Sequence, residues 1–264
     1  TVEVIQMAVK ANHDISSGLD TAFINSAINS NLAYRPEFVS NDYTQGKKVS
    51  VAIEREFRHC DAFYISVAFI TEGGLAPLKQ VLAELRDKGI PGKILTTSYL
   101  TFTEPKALKT LADLSNVEVR VYDSTDEGAS GFHTKGYIFK EEEIYRFIVG
   151  SSNMTASAFS VNKEWNTKLV STSDGELLKQ MMTEFNALWN SKHTLAVKDF
   201  IEDYEVRYRL IKEQKKNAAK EQMVDFQAYK LQPNKMQARF VSNFRKLLES
   251  NEHRGLLVLS LIHI

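Results

Sequence analysis

The sequence predicts an α/β fold, a mixed sheet flanked by helices, on three observations. Between residues 61 and 122, β-type runs alternate with amphipathic helices, the order that builds a sheet with right-handed crossovers. Residues 131–149 then read as two short strands folded about a charged turn, Lys140 to Glu143. Finally, an alternating strand at 164–170 precedes a helix with a long apolar stripe.

The elements follow in order. Residues 1–40 are expected to form an N-terminal helical arm; within it Leu19 to Leu32 reads as an amphipathic helix, because Phe23, Ile24, Ala27, Ile28 and Leu32 recur with helical spacing, and Arg35-Pro36 stops it. The sheet domain is expected over 41–195. Its first helix carries Val49, Ala52, Ile53 and Phe57, and the near-continuous apolar run from Asp61 to Ile70 reads as a buried parallel strand. Gly73-Gly74 introduces a helix with Leu78, Val81, Leu82 and Leu85 inward, and Gly89 ends it. A strand at 93–97 leads to a helix from 104 to 114, with Thr103 as its cap and Pro105 in its first turn. Val117 to Tyr122 is the next strand, and the polar stretch 123–130 is a loop that delivers the chain to His133.

From there, alternation puts His133, Lys135 and Tyr137 on one face of a strand. The hairpin brings Gly150-Ser151-Ser152-Asn153 back beside that end. Glu164, Asn166 and Lys168 share a face of the strand at 164–170. The helix at 174–191 has Leu177, Leu178, Met181, Met182, Phe185, Leu188 and Trp189 as its core stripe. Residues 196–225 form a charged helical connector without a broad apolar face. Arg207, Arg209, Lys212, Lys215 and Lys216 would make a basic ridge there, but the interleaved Glu205 and Glu213 favour a solvated helix.

Composition bounds the function. Hydrophobic residues at 43% and charged residues at 25% are ordinary for a soluble globular protein. With 33 basic and 33 acidic residues there is no excess positive charge, so any nucleic-acid site must be a local cleft. Cys60 is the only cysteine, which makes a cytoplasmic location the default. No apolar run approaches the roughly 20 residues that span a bilayer. No Cys/His cluster has zinc spacing, and neither metal nor cofactor is expected.

A His, a Lys and an Asn close together make a site for a phosphate: the cation and amide hold non-bridging oxygens, and the imidazole attacks phosphorus or donates a proton. H-x-K alone is common; H-x-K with G-S-x-N at hairpin distance is not. The pair resembles the phospholipase D superfamily, whose members carry H-x-K, an acidic residue and G-S-x-N. By position His133, Lys135, Ser151 and Asn153 match. The usual Asp falls on Lys140, and Glu164 resembles the downstream Glu that replaces it in some nuclease-like members. The resemblance implies a phospholipase D-like domain hydrolysing phosphodiesters without metal through a phosphohistidine. It implies that His133 is the nucleophile, that Lys135 and Asn153 bind phosphoryl oxygens, that Glu164 orients His133, and that Ser151 supports the phosphate or the turn.

That chemistry needs two imidazoles. His13, His59, His193, His253 and His263 lack the accompanying Lys and Asn and read as structural or surface residues. One motif per chain therefore implies a homodimer that pools its sites across a two-fold axis.

Residues 226–264 carry a second resemblance, to the opening of a superfamily 2 helicase motor, in which Gln237 would read adenine. The glycine-rich phosphate loop never arrives, so ATP would bind only a fuller protein. The chain is thus expected to be the N-terminal piece of a longer helicase or restriction-type protein, with its last few residues foreign to it. Three functions follow: a nuclease acting on DNA, a non-catalytic DNA-binding module that keeps the phosphate site only as a grip, and a phospholipid-directed enzyme. The helicase-like segment, and the expected lack of a basic amphipathic membrane-binding helix, place the last of these behind the others.

Overall fold

Strand alternation sets the architecture in the computed structural model, which describes residues 2–228 and 235–250. The helices are α1 (Val2–Phe23), α2 (Val49–Phe57), α3 (Glu72–Leu75), α4 (Lys79–Asp87), α5 (Pro105–Ala112), α6 (Ala156–Ser160), α7 (Glu176–Trp189), α8 (Val197–Ala228) and α9 (Lys235–Glu249). The strands are β1 (Glu37–Val39), β2 (Ala62–Val67), β3 (Gly92–Thr97), β4 (Val117–Tyr122), β5 (Lys135–Glu141), β6 (Ile144–Gly150), β7 (Asn166–Thr172) and β8 (Thr194–Ala196). They form an eight-stranded mixed sheet in the order β1-β7-β6-β5-β2-β3-β4-β8. As the β-α-β-α-β pattern predicts, β2, β3 and β4 are parallel, while β5 runs antiparallel to β2 and begins the hairpin with β6.

Each face of the sheet buries its own helices. On one face Phe63, Ile65 and Val67 of β2, Tyr137 and Phe139 of β5, and Ile148 of β6 pack against apolar residues of α2, α4, α5 and the first turns of α8. On the other, Ile138 and Phe147 meet Leu178 of α7, and Leu95, Tyr122 and Phe132 meet Phe185 and Trp189. The result is a mixed α/β sheet flanked by helices, the fold class that the sequence predicts.

Four local expectations are corrected. The helix placed at 19–32 is displaced: α1 ends at Phe23, and Ile24 and Leu32 lie exposed in the following turns. There Thr21 Oγ1 sits 2.8 Å from the Ile28 carbonyl and 2.7 Å from Ser30 Oγ, so the chain folds back although its apolar spacing would continue a helix. Thr103 does not cap α5; its buried hydroxyl donates to the Thr97 carbonyl at 3.0 Å, and Glu104 is the cap residue. Leu177 leaves the core stripe of α7 and is exposed. The connector does have an apolar start, since Val197, Phe200 and Tyr204 of α8 are buried in the core. There Arg207 leaves the basic ridge: it lies over the Tyr204 ring and reaches Asp123 at 3.6 Å and Thr125 Oγ1 at 2.8 Å.

The edge strands β1 and β8 are three residues long and were not expected; so short a run shows no periodicity. The chain has two compact units, Thr1–Ile211 and Lys212–Ile264. Within the second, α9 exposes an apolar stripe of Phe240, Val241, Phe244, Leu247 and Leu248 beside Arg239, Arg245 and Lys246. Residues 229–234 and 251–264 and the side chain of Gln237, on which the helicase resemblance depends, lie outside the described residues. No described helix is long and apolar enough to cross a membrane.

Candidate active site

The open end of the β5–β6 hairpin collects the H-x-K and G-S-x-N residues. Register puts Gly136 opposite Val149, so Lys135 at the start of β5 and Gly150 at the end of β6 lie at the same edge of the sheet. Next to them β7 begins at Asn166, opposite Gly150. A side chain at position 150 would meet the Trp165 carbonyl at 2.2 Å and Asn166 Oδ1 at 2.6 Å, which is why this position must be glycine.

Asn153 is fixed by the neighbouring crossover. Its Oδ1 accepts from the Phe69 N–H at 3.2 Å, and the Met154 N–H donates to the Phe69 carbonyl at 3.0 Å. With its oxygen so occupied, Asn153 offers a ligand its amide N–H donors. The Ser152 turn is clamped by Asn166, whose Oδ1 accepts from Ser152 N–H at 3.2 Å and whose Nδ2 donates to Ser152 Oγ at 2.9 Å and to the Val39 carbonyl at 3.1 Å. Below it, the buried Tyr137 hydroxyl donates to the Ser152 carbonyl at 3.0 Å. Burial, and secondarily the charge of Glu164, push the Tyr137 phenol well above its ordinary value, so it stays a donor.

His133 sits exposed just before β5, edge-on to Phe69 with ring centroids 6.2 Å apart. Lys135 Nζ lies 2.9 Å from His133 Nδ1 and 3.0 Å from the His133 carbonyl. The ammonium thus meets a ring nitrogen and a backbone carbonyl. Burial lowers its pKa from the ordinary 10.5, against the opposing charge of Glu164.

Glu164, buried at 7% exposure, is brought into the cluster but not onto the imidazole expected for it. Its Oε2 accepts from the Ser151 hydroxyl, which in turn accepts from Trp165 N–H at 3.0 Å, while Ser151 N–H donates to the Trp165 carbonyl at 3.1 Å. Ser151 is therefore engaged in the turn, and Lys135 rather than Glu164 meets the ring nitrogen of His133.

Lys140 belongs to a different place. It lies five residues along β5, about 17 Å from Lys135 at a strand rise of ~3.4 Å per residue. There it pairs with Ala62 near the closed end of the hairpin. A carboxylate at that position would not reach the phosphate site, so its replacement by lysine leaves the cluster intact.

Residues 61–189 match the family described as cardiolipin synthase, PLD-like domain. They form a phospholipase D-like domain. Solved structures similar to the chain include NucT from Helicobacter pylori, at 14% identity and TM-score 0.47, covering 61% of this chain and 98% of that one. Nuc from Salmonella typhimurium, a phospholipase D family member, is similar at 16% identity and TM-score 0.46, with the same coverage of 61% and 98%. Phosphatidylserine synthase from Haemophilus influenzae is similar at 15% identity and TM-score 0.45, covering 72% of this chain and 46% of that one. No curated protein matches the sequence.

Among the described residues no group of three His, Cys, Asp or Glu side chains is placed to hold a metal. Of the other histidines, His193 is buried with Nδ1 3.0 Å from Asp126 Oδ2. The cluster also rests on residues outside the H-x-K and G-S-x-N motifs. Asn166 and Tyr137 hold the turn, and Phe69 positions both His133 and Asn153. Asn166 and Tyr137 were detectable as polar groups in buried register beside the motif; Phe69 gives no signal, because its part is played by its backbone and ring edge.

Proposed function

We propose that this chain is a phosphodiesterase acting on DNA through a phosphohistidine, with no metal in the reaction. The observation that carries the reading is the gathering at one end of the sheet of His133, Lys135 and Asn153, whose side-chain oxygen is taken by the Phe69 N–H. Lys135 and Asn153 bind the non-bridging oxygens and stabilise charge as it develops on them. When its ammonium donates to Nδ1, the neutral His133 ring carries its proton on Nε2. A bound phosphate competes for the ammonium, and its departure leaves a ring lone pair for attack.

His133 then attacks phosphorus in line, an N–P bond forming as the bond to the leaving oxygen breaks. His133 of the partner subunit, as imidazolium, gives that oxygen its proton. The same ring, now neutral, takes a proton from water, which attacks phosphorus and releases His133. The homodimer is part of this proposal, because one H-x-K is present per chain. DNA is favoured by the resemblance of 226–264 to a helicase start, which would make the domain a nuclease module of a larger motor or restriction-type protein.

A second reading, a module that grips a phosphate without cutting, is favoured by the ammonium lying on His133 Nδ1. The deciding experiment incubates the purified chain with labelled single- and double-stranded DNA in EDTA, beside His133→Ala and beside phospholipid vesicles. Cleavage of DNA that survives chelation, and falls at least about 10³-fold in the variant, is expected. Binding without cleavage by both proteins would favour the grip, and hydrolysis of the vesicles alone would move the substrate to lipid.

A further inference from the structure

The loop between β3 and α5 holds apolar side chains in water at the edge of the sheet that carries the site. β3 runs parallel to β2, and Val67 at the end of β2 stands opposite Lys135, so residues 98–103 leave the sheet at the same edge as the H-x-K residues. Both ends of the loop are anchored: the buried Ser98 hydroxyl donates to Asp123 at 2.7 Å, and the buried Thr103 hydroxyl donates to the Thr97 carbonyl. Between these anchors Leu100 and Thr101 both take the left-handed backbone, with φ of 53° and 54°. Side chains other than glycine are strained there, a β-branched threonine most of all, and such strain gathers at ligand-binding sites. The turn so held leaves Tyr99, Leu100 and Phe102 exposed.

Two ring contacts join this tip to the imidazole. Phe102 packs edge-to-face on Phe69 with centroids 5.0 Å apart, and Phe69 is edge-on to His133 at 6.2 Å. The Phe69 N–H is also the donor that occupies Asn153 Oδ1. A single ring, itself tied to the phosphate site, therefore separates Phe102 from His133. Even with Phe69 against it, Phe102 is 47% exposed, so about half of its surface is open to a ligand.

Whatever phosphodiester His133 attacks, its two ester groups begin one bond from the phosphorus, and a wall one ring away is within reach of the first of them. In a nucleic acid that group is a nucleoside, whose planar base matches a small aromatic wall. The acyl chains of a phospholipid are far longer than two rings and a leucine can cover. A base cannot lie on a side chain while stacked in a duplex, so the occupant is unpaired. We infer that Phe102, with Tyr99 and Leu100, is the wall on which an unpaired nucleobase beside the scissile phosphodiester packs, making single-stranded nucleic acid the preferred substrate.

This specificity rests on the phosphodiesterase reading, so it is tested by binding rather than by turnover. The His133→Ala chain in EDTA is titrated with labelled oligodeoxythymidylate and with an abasic strand of equal length, alone and combined with Phe102→Ala, Phe102→Tyr or Leu100→Gly. Phe102→Ala should weaken thymidylate binding by roughly 10- to 100-fold and leave the abasic strand and a duplex unaffected. Phe102→Tyr, which keeps the ring, should recover most of the loss. Leu100→Gly should also weaken thymidylate binding, yet hold or raise the urea midpoint, because glycine relieves the left-handed backbone.

Equal losses on both strands would mean that Phe102 acts only through Phe69 and Asn153, and no loss on either would leave it without a part; both results overturn the wall. Base-dependent binding in a wild-type chain that cleaves nothing would keep the wall and sink the phosphodiesterase. Binding to phospholipid vesicles that falls in Phe102→Ala, with both strands unaffected, would overturn the wall in favour of an acyl chain. A sedimenting dimer that Phe102→Ala and Leu100→Gly both dissociate, with equal losses on the two strands, would overturn it in favour of a subunit contact.

Discussion

Lys135 and Lys168 project from the same face of the same sheet, through the register of Tyr137, Ile148 and Lys168, yet their surroundings are opposite. Lys168 is 3% exposed and lies 3.0 Å from Glu37 and 3.5 Å from Glu56. Those carboxylates also meet Arg55, and Arg146 lies 3.9 Å from Glu56 while pairing with Glu141. Burial pushes the Glu37 carboxyl up, but hydrogen bonds and charge from Lys168 and Arg55 outweigh it and hold it below the ordinary value. Lys135, by contrast, touches an imidazole nitrogen and a carbonyl, and burial lowers its pKa. A buried cation closed in by carboxylates is engaged by them; a half-buried one that meets a ring nitrogen and a carbonyl keeps donors for a phosphate. Partner chemistry and burial together separate Lys168 from Lys135, the proposed phosphate-binding lysine.

The sharpest way to break that distinction is to remove a central residue from each cluster. His133→Ala should lower phosphodiester turnover by at least about 10³-fold and leave the urea midpoint unchanged. Lys168→Met should do the reverse. It takes the buried cation from Glu37 and Glu56 and leaves them to Arg55 and Arg146, at a cost of about 3 kcal/mol, the low end for a broken buried pair, while each molecule that remains folded keeps its turnover. Urea unfolding and single-turnover kinetics on both variants check the pair. A Lys168 variant that unfolds normally but loses activity would dissolve the division.

The sequence made one side of this comparison far more legible than the other. H-x-K and G-S-x-N are rigidly spaced because a short hairpin closes between them, so His133, Lys135, Ser151 and Asn153 were visible before any contact was known. The β-α-β-α-β order was legible for a similar reason, since its periodicities are long enough to read. The network around Lys168 was not, because Glu37, Glu56 and Lys168 come from β1, α2 and β7, and tertiary pairing alone joins them. The face shared by Glu164, Asn166 and Lys168 could be read as a pattern, but not that one end of it holds a turn and the other an ion-pair network. The partner of Glu164 was likewise invisible, since Ser151 and His133 are equally plausible from spacing. The apolar start of α8 was hidden by the charges around Phe200 and Tyr204.

A smaller effect distinguishes the two lysines by titration. Because burial lowers the Lys135 pKa, its charge is present at neutral pH and is lost as pH rises through a value below the ordinary 10.5. Affinity for phosphate should therefore fall on the alkaline side before an ordinary lysine would deprotonate. Lys135→Arg keeps its charge throughout this range but fits the pocket differently. It should cost roughly 10-fold in kcat/KM at pH 7, the order of ~1.4 kcal/mol, yet move the alkaline limb upward. A pH profile of kcat/KM for both proteins tests this. An unmoved limb would assign the titration to another group and leave Lys135 with no special standing.

The smallest effect concerns Lys140, which sits where the resemblance leads one to expect an acid. If the aspartate were required at the phosphate site, Lys140→Asp would raise activity substantially. The hairpin argues otherwise: position 140 pairs with Ala62 toward the closed end of β5, while His133 and Lys135 stand at the open end. Its backbone carbonyl accepts from the Asp61 N–H at 2.7 Å, a bond that the substitution leaves in place. Turnover should change by less than about 2-fold and stability by no more than about 0.5 kcal/mol, as for a surface substitution away from a cap, cavity or buried charge. A tenfold gain would mean that the two ends of the hairpin communicate, and the local account of the site would have to yield to one in which the far turn sets the position of His133.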